Sequence, residues 1–186
     1  MIRRSCRSRA TRMREVFEQL ERLGVRYFIT GSEAAAVYGS LRQSFDTDVV
    51  IDLKASRFDI IDQALGGAYV VNEPIDYGDF AMASLISIDT AAKVDLIMRV
   101  SSPWADEAMA RRVSAEHPTF GAVWVAAIED LILAKLMWSE GTSELQLRDC
   151  GTLIRINRDE IDWPYMRRWA AVLDVAELLE RVRVAP

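Results

Sequence analysis

Asp46 and Asp48 stand two residues apart, immediately before the apolar run Val49-Val50-Ile51. Alternate side chains of a strand share a face, with Cα atoms roughly 6.6–6.8 Å apart, so this spacing sets two carboxylates side by side at a strand's beginning. They repel each other. A divalent cation relieves the repulsion, and two protein oxygens completed by substrate phosphate oxygens form a ligand set that magnesium accepts. Upstream, Gly31-Ser32 sits between the β-prone run Val25–Ile29 and a helix-prone stretch, Glu33 to Tyr38. Glycine there lets backbone approach a phosphate, and the N–H groups of a helix's first turn attract anions. Taken singly, these features are an exposed acidic pair and a helix cap. Within one strand-helix-strand unit they point to a nucleotide site.

Two further charges lie on apolar helical stripes. Lys135 follows Ile128, Leu131 and Ile132 at spacings of seven, four and three, and Asp149 has Leu145 and Leu153 four residues to either side. A charge so placed needs a partner or a task. The pattern leaves two readings open: an ion pair tying two helices together, or part of a site.

Gly31-Ser32, Arg42, Ser44 and Asp46-Thr47-Asp48 together resemble the nucleotidyltransferase fold of the DNA polymerase beta superfamily. Among its branches the chain is most similar to the small bacterial abortive-infection and toxin-type proteins. The resemblance implies a third carboxylate on a later strand, which Asp95 supplies within Ala92–Met98. It also matches Glu129-Asp130-Leu131-Ile132, then Lys135, then Arg148-Asp149, in that order. Its implications are concrete. Asp46, Asp48 and Asp95 would hold two magnesium ions, or manganese. Gly31, Ser32, Arg42 and Lys135 would bind ATP or another nucleoside triphosphate, and Lys135 and Asp149 would join the three aspartates as catalytic residues. The reaction implied is transfer of a nucleoside monophosphate, with loss of pyrophosphate, to a hydroxyl or phosphate on RNA, protein or a small molecule. An antitoxin partner protein is a further implication of this branch. One departure is Gly-Ser at the turn, where close relatives often have Gly-Gly. The competing reading is a catalytically silent fold of the same kind, serving as a binding or regulatory partner. Phosphatases and glycosyltransferases that use paired aspartates place them after an apolar strand, and here the strand follows the pair.

The elements that must position these groups are legible in outline. Met13 to Leu23 has an amphipathic helical pattern, Ser56 is placed to cap a helix through Phe58, Ile61 and Leu65, and Ala68–Val71 reads as a short strand. Asn72 to Asp79 reads as loop, and Phe80–Ile88 with Lys93–Val100 as an antiparallel hairpin that delivers Asp95. Pro103 to Glu116 reads as helix, Phe120–Ala126 as strand, and the chain from Ile128 onward as helices broken at Glu140-Gly141-Thr142 and at 157–164. Ser143 and Gln146 have capping-box spacing, and a terminal amphipathic helix carries Met166, Trp169, Leu173 and Leu179. The expected fold is α/β of the α+β kind: a nucleotidyltransferase-like mixed sheet flanked by helices. Its divisions are a basic lead-in at 1–14, the core at 15–126, and a helical region at 127–186 packed on the core.

Composition narrows the function classes. The 186 residues include one histidine, His117, and two distant cysteines, Cys6 and Cys150. That disfavours a histidine-centred triad, a zinc site or a disulfide framework. Residues 1–14 hold six arginines and no acid, so a chain of net charge −5 carries −11 on its remainder. The arm reads either as a phosphate-binding segment or as a solvated lead-in. The acidic body disfavours broad nucleic-acid binding. No apolar run is long enough to span a bilayer, and the expected location is the cytoplasm.

Overall fold

A computed structural model of the chain describes residues 8–40 and 46–184. Its elements run α1 (Arg9–Arg22), β1 (Tyr27–Ile29), α2 (Gly31–Val37), β2 (Asp46–Ile51), α3 (Asp59–Leu65), β3 (Tyr69–Val71), β4 (Ile75–Asp76), β5 (Phe80–Ser87) and β6 (Lys93–Arg99). They continue with α4 (Pro103–Arg111), β7 (Val113–His117), β8 (Gly121–Val125), α5 (Ile128–Ser139), α6 (Glu144–Ile156), α7 (Trp163–Val172) and α8 (Ala176–Val184). The strands form one mixed eight-stranded sheet in the order β3-β5-β6-β2-β1-β8-β7, with β4 against β5.

The two faces of the sheet are covered differently. Tyr27, Val49, Ile51, Val94, Leu96 and Leu85 point to one face and are at most 2% exposed. α1 lies on that face, with Phe17 stacked on Tyr27 at 5.4 Å between ring centroids and Met13, Val16 and Leu20 fully buried. The residues between them in sequence point the other way. α5 reaches that second face, where Trp138 meets Phe80 edge-on at 4.9 Å. The C-terminal helices pack on α5 through Leu147, Leu153, Met166, Trp169 and Leu179, all buried.

The α/β class and the mixed sheet agree with the expectation, and several local readings are corrected. α1 begins at Arg9, capped by Ser8, four residues before its apolar stripe starts. The described part of the basic lead-in is therefore structured: Arg9 pairs with Glu33 at 2.9 Å, and Arg12 grips Asp89 with two hydrogen bonds of 2.8 and 2.6 Å. Residues 1–7, with Cys6, lie outside the described residues.

The helix expected to run to Glu116 stops at Arg111, and Val113–His117 is an edge strand paired antiparallel with β8. Pairing to a partner that comes later in the chain overrides a local helical pattern. Ile75–Asp76 makes a two-residue strand within the expected loop. Ser56 lies in a single 3-10 turn, Ala55–Arg57, and the helix after it has no side-chain cap. Ser143 occupies the N-cap of α6, but its side chain makes no capping bond, and Gln146 Oε1 is buried without a hydrogen-bond partner. The terminal helix is two, α7 and α8, parted where Asp174 takes a left-handed φ of 57°.

Candidate active site

The ladder between β2 and β6 builds the site. These strands are parallel neighbours, and their register sets Asp46 beside Lys93 and Asp48 beside Asp95. Antiparallel pairing of β5 to β6 then sets Ser84 beside Asp95. Side chains two apart share a face, so Asp46, Asp48, Lys93, Asp95 and Ser84 all stand on the face that α5 reaches. Two acids two residues apart and one nearly fifty residues later thus meet through strand register alone. The sheet's other face at this level is apolar apart from the fully buried Thr47.

The polar contacts are specific. Asp95 is 6% exposed. Ser84 Oγ donates to its Oδ1 at 2.5 Å, and Lys93 Nζ donates to its Oδ2 at 2.8 Å. The same ammonium lies 3.6 Å from Asp46 Oδ2. Asp48 is half-buried. Burial, then the carboxylates of Asp95 and Asp46, push its pKa up, while the positive charges of Lys93 and Lys135 act in the opposite direction. Lys135 stands on α5, buried. Its Nζ lies 3.5 Å from Asp149 Oδ2 on α6, and the residue is 8% exposed. The pair expected to tie the two helices together is present.

Gly31 closes the site from β1. The N–H of Thr30 donates to the Asp48 carbonyl at 2.9 Å, which extends the β1–β2 ladder to the turn. Gly31 then takes φ +65°, and a Cβ on it would collide with the Asp48 carboxylate. Both the backbone angle and the close approach require glycine. α2 follows with Ala34 and Ala35 buried, their small side chains letting the helix lie close to the sheet. Ser32 lies in the first turn of α2, half-buried. Arg42, with Ser44, lies outside the described residues.

Sequence reasoning missed three partners. Lys93 was legible as a cation two residues before Asp95, hence on its face. Ser84 becomes visible only through β5–β6 register. Glu33, beside the predicted turn, accepts from Arg9 and lies 3.2 Å from Nε2 of the buried His117. Nδ1 of that histidine accepts the N–H groups of Thr119 and Phe120, so its proton sits on Nε2, facing Glu33. The lone histidine is structural, and so is Cys150, a free thiol whose burial pushes its pKa up to about 12.

The donor chemistry at the site fits a hard divalent cation: three carboxylates on one face of adjacent strands, already drawing an ammonium between two of them. Among the described residues, however, no three acid, histidine or cysteine side chains converge closely enough to hold a metal ion as they stand. The Lys93 ammonium stands near both Asp46 and Asp95.

No family model matches the chain, and no curated protein does. Solved structures do. An antigenic nucleotidyltransferase-like protein from Paracoccidioides brasiliensis is similar with TM-score 0.54 and 15% identity, over 92% of each chain. The solution structure of the antibiotic-resistance factor ANT(2'')-Ia is similar with TM-score 0.53 and 16% identity, over 94% of this chain and 88% of that one. A crystal structure of ANT(2'')-Ia with adenylyl-2''-tobramycin gives TM-score 0.51 and 16% identity, over 94% and 92%. The mixed sheet flanked by helices is consistent with the nucleotidyltransferase fold of these structures.

Proposed function

We propose that this chain is a metal-dependent nucleotidyltransferase that moves a nucleoside monophosphate from a nucleoside triphosphate to a hydroxyl or phosphate acceptor. The observation that carries the reading is the register of β2 and β6. It sets Asp48 opposite Asp95, with Asp46 on the same face and the Gly31 backbone against the Asp48 carboxylate. An acceptor oxygen would attack the α-phosphorus, the α–β bridging P–O bond would break, and pyrophosphate would leave. Asp46, Asp48 and Asp95 would hold magnesium, or manganese, which when bound lowers the acceptor's pKa and offsets charge on the phosphates. Asp95 would receive the acceptor's proton. The backbone at Gly31 and the first turn of α2 would position the triphosphate, and Lys135 would present a fixed positive charge to it, held by Asp149.

For the acceptor we favour a small molecule over RNA. The body of the chain is strongly acidic, and the fold likeness to ANT(2'')-Ia, solved with an adenylylated tobramycin, extends over the C-terminal helices. A protein acceptor, or a role beside an antitoxin, would appear as labelled protein in the test below. One observation favours a second reading, a catalytically silent fold used for binding: the ammonium of Lys93 already pairs with two of the three acids.

The test is incubation of the purified chain with a cell extract, magnesium, and triphosphates labelled at the α- or the γ-phosphate. The α-label is expected on the acceptor and the γ-label in pyrophosphate. Transfer of the γ-label would mean a kinase, and transfer of neither, together with no nucleotide-induced rise in melting temperature, would favour the silent fold.

A further inference from the structure

We infer that Lys93 is a resident counter-ion of the carboxylate face, one that a divalent ion must displace, so that metal binds well only when it arrives with a triphosphate. This rests on the metal site proposed above. The ammonium stands between the first and third carboxylates, 3.6 Å from Asp46 and 2.8 Å from Asp95. The second oxygen of Asp95 is held by Ser84. An ion bridging these acids would be placed beside the ammonium, and two like charges at such a distance repel strongly. Lys93 must therefore leave, and leaving costs its charge-assisted hydrogen bond to Asp95.

The side chain is built to leave. It is 34% exposed, and its charge sits at the end of a flexible four-carbon stem, so it can swing toward solvent while β6 stays paired. Where it goes determines the coupling. A free metal ion sends the ammonium into water with no compensation. A metal-bound triphosphate brings phosphate oxygens to the same rim, and these accept the displaced ammonium. Lys135 has no such freedom, since it is 8% exposed and already paired with Asp149.

Manganese binding, followed by electron paramagnetic resonance, tests this without any turnover. Wild type, Lys93→Met and Lys93→Arg are titrated with Mn2+ alone and with a non-hydrolysable triphosphate analogue present. Wild type should bind free Mn2+ weakly and bind it more tightly with the analogue. Lys93→Met should bind free Mn2+ at least about tenfold more tightly than wild type, with a smaller further gain from the analogue. Lys93→Arg should keep the wild-type pattern. Should Lys93→Met fold poorly, Lys93→Gln, neutral but still able to donate to Asp95, makes the same comparison. Equal affinity of wild type and the neutral variants for free Mn2+ would overturn the role of Lys93 alone. Absence of Mn2+ binding in every variant, with and without the analogue, would remove the metal site and this inference with it.

Discussion

Two regions of this molecule bury acids, and they do so in opposite ways. Where α4, α5 and α7 meet, Glu129 and Asp130 are 4% and 2% exposed and are held by fixed donors. Asp130 Oδ1 accepts from Trp104 Nε1 at 3.0 Å and Tyr165 OH at 2.6 Å, and Glu129 accepts from Arg111 at 2.7 Å and the Asp162 N–H at 2.7 Å. Arg111 also stacks on the Tyr165 ring, 3.7 Å from its centroid. On the sheet, by contrast, Asp95 accepts a short hydrogen bond from Ser84, and the partly exposed ammonium of Lys93 reaches both Asp95 and Asp46. Fixed aromatic and backbone donors make acids part of the scaffold. An acid paired with a partly exposed ammonium on a flexible stem is held less rigidly. The Glu129-Asp130-Leu131-Ile132 segment thus anchors helices, while Lys135, one turn later, pairs with Asp149 on α6.

The largest expected effect is at the sheet. Asp46→Ala or Asp48→Asn should lower transfer at least about 10²–10³-fold, since each removes electrostatic stabilisation that the reaction needs. The melting temperature in metal-free buffer should hold or rise, because like-charge repulsion is relieved. Near wild-type transfer under magnesium in both variants would erase the distinction between the two regions.

Asp130→Ala should show the opposite. It strands two buried donors and exposes Arg111 to an incomplete partner set, a loss of roughly 2–3 kcal/mol. For a chain of this size that is a fall in melting temperature of roughly 4–12 °C. The fraction that remains folded should transfer normally, and selective loss of transfer without destabilisation would move Asp130 into the site.

Lys135→Met lies on the border. Nucleotide binding or turnover should weaken at least about tenfold, roughly 1.4 kcal/mol, with a smaller fall in melting temperature than Asp130→Ala. A large fall in melting temperature with normal transfer would assign the Lys135–Asp149 pair to the scaffold.

The smallest effect concerns Glu33, which joins α1 to α2. Burial alone would push its pKa up, but hydrogen bonds to His117 and Arg9 more than offset that and hold it below the usual glutamate range. A depressed folded-state pKa contributes stability above the unfolded-state value, and that stability is lost as pH falls through the folded-state pKa. Glu33→Gln should therefore melt lower than wild type at neutral pH, with the gap closing below about pH 4. A gap that stays constant through acid would mean that packing, rather than charge, is what Glu33 supplies.

How much of this was legible depends on whether the deciding contact is local. β2 and β6 could be read from Asp46–Ile51 and Lys93–Arg99 because their apolar runs are continuous and bounded by turn residues. Gly31 could be read because a strand, a glycine and a helix follow one another directly. The pairing of Asp48 with Asp95 could not, since parallel register is set by connections that no local period encodes; the family resemblance supplied Asp95 instead. Val113-Ser114-Ala115-Glu116-His117 extends an apparent helix in sequence and becomes a strand only because β8 pairs with it. Glu129 and Asp130 were matched as a motif, while the partners that satisfy them lie 18 to 35 residues away. Lys93 was within reach of the two-residue rule, yet a lysine at the start of an apolar strand looks like a solvated end.

Asp95 gives the most direct test of the central claim, because only the fold joins it to the Asp46–Asp48 pair. Transfer of α-label by Asp95→Asn is measured beside wild type under magnesium, with the melting temperature of both recorded. The account predicts loss of transfer with the fold retained. Transfer within about twofold of wild type, a difference of roughly 0.4 kcal/mol in the barrier, would contradict it.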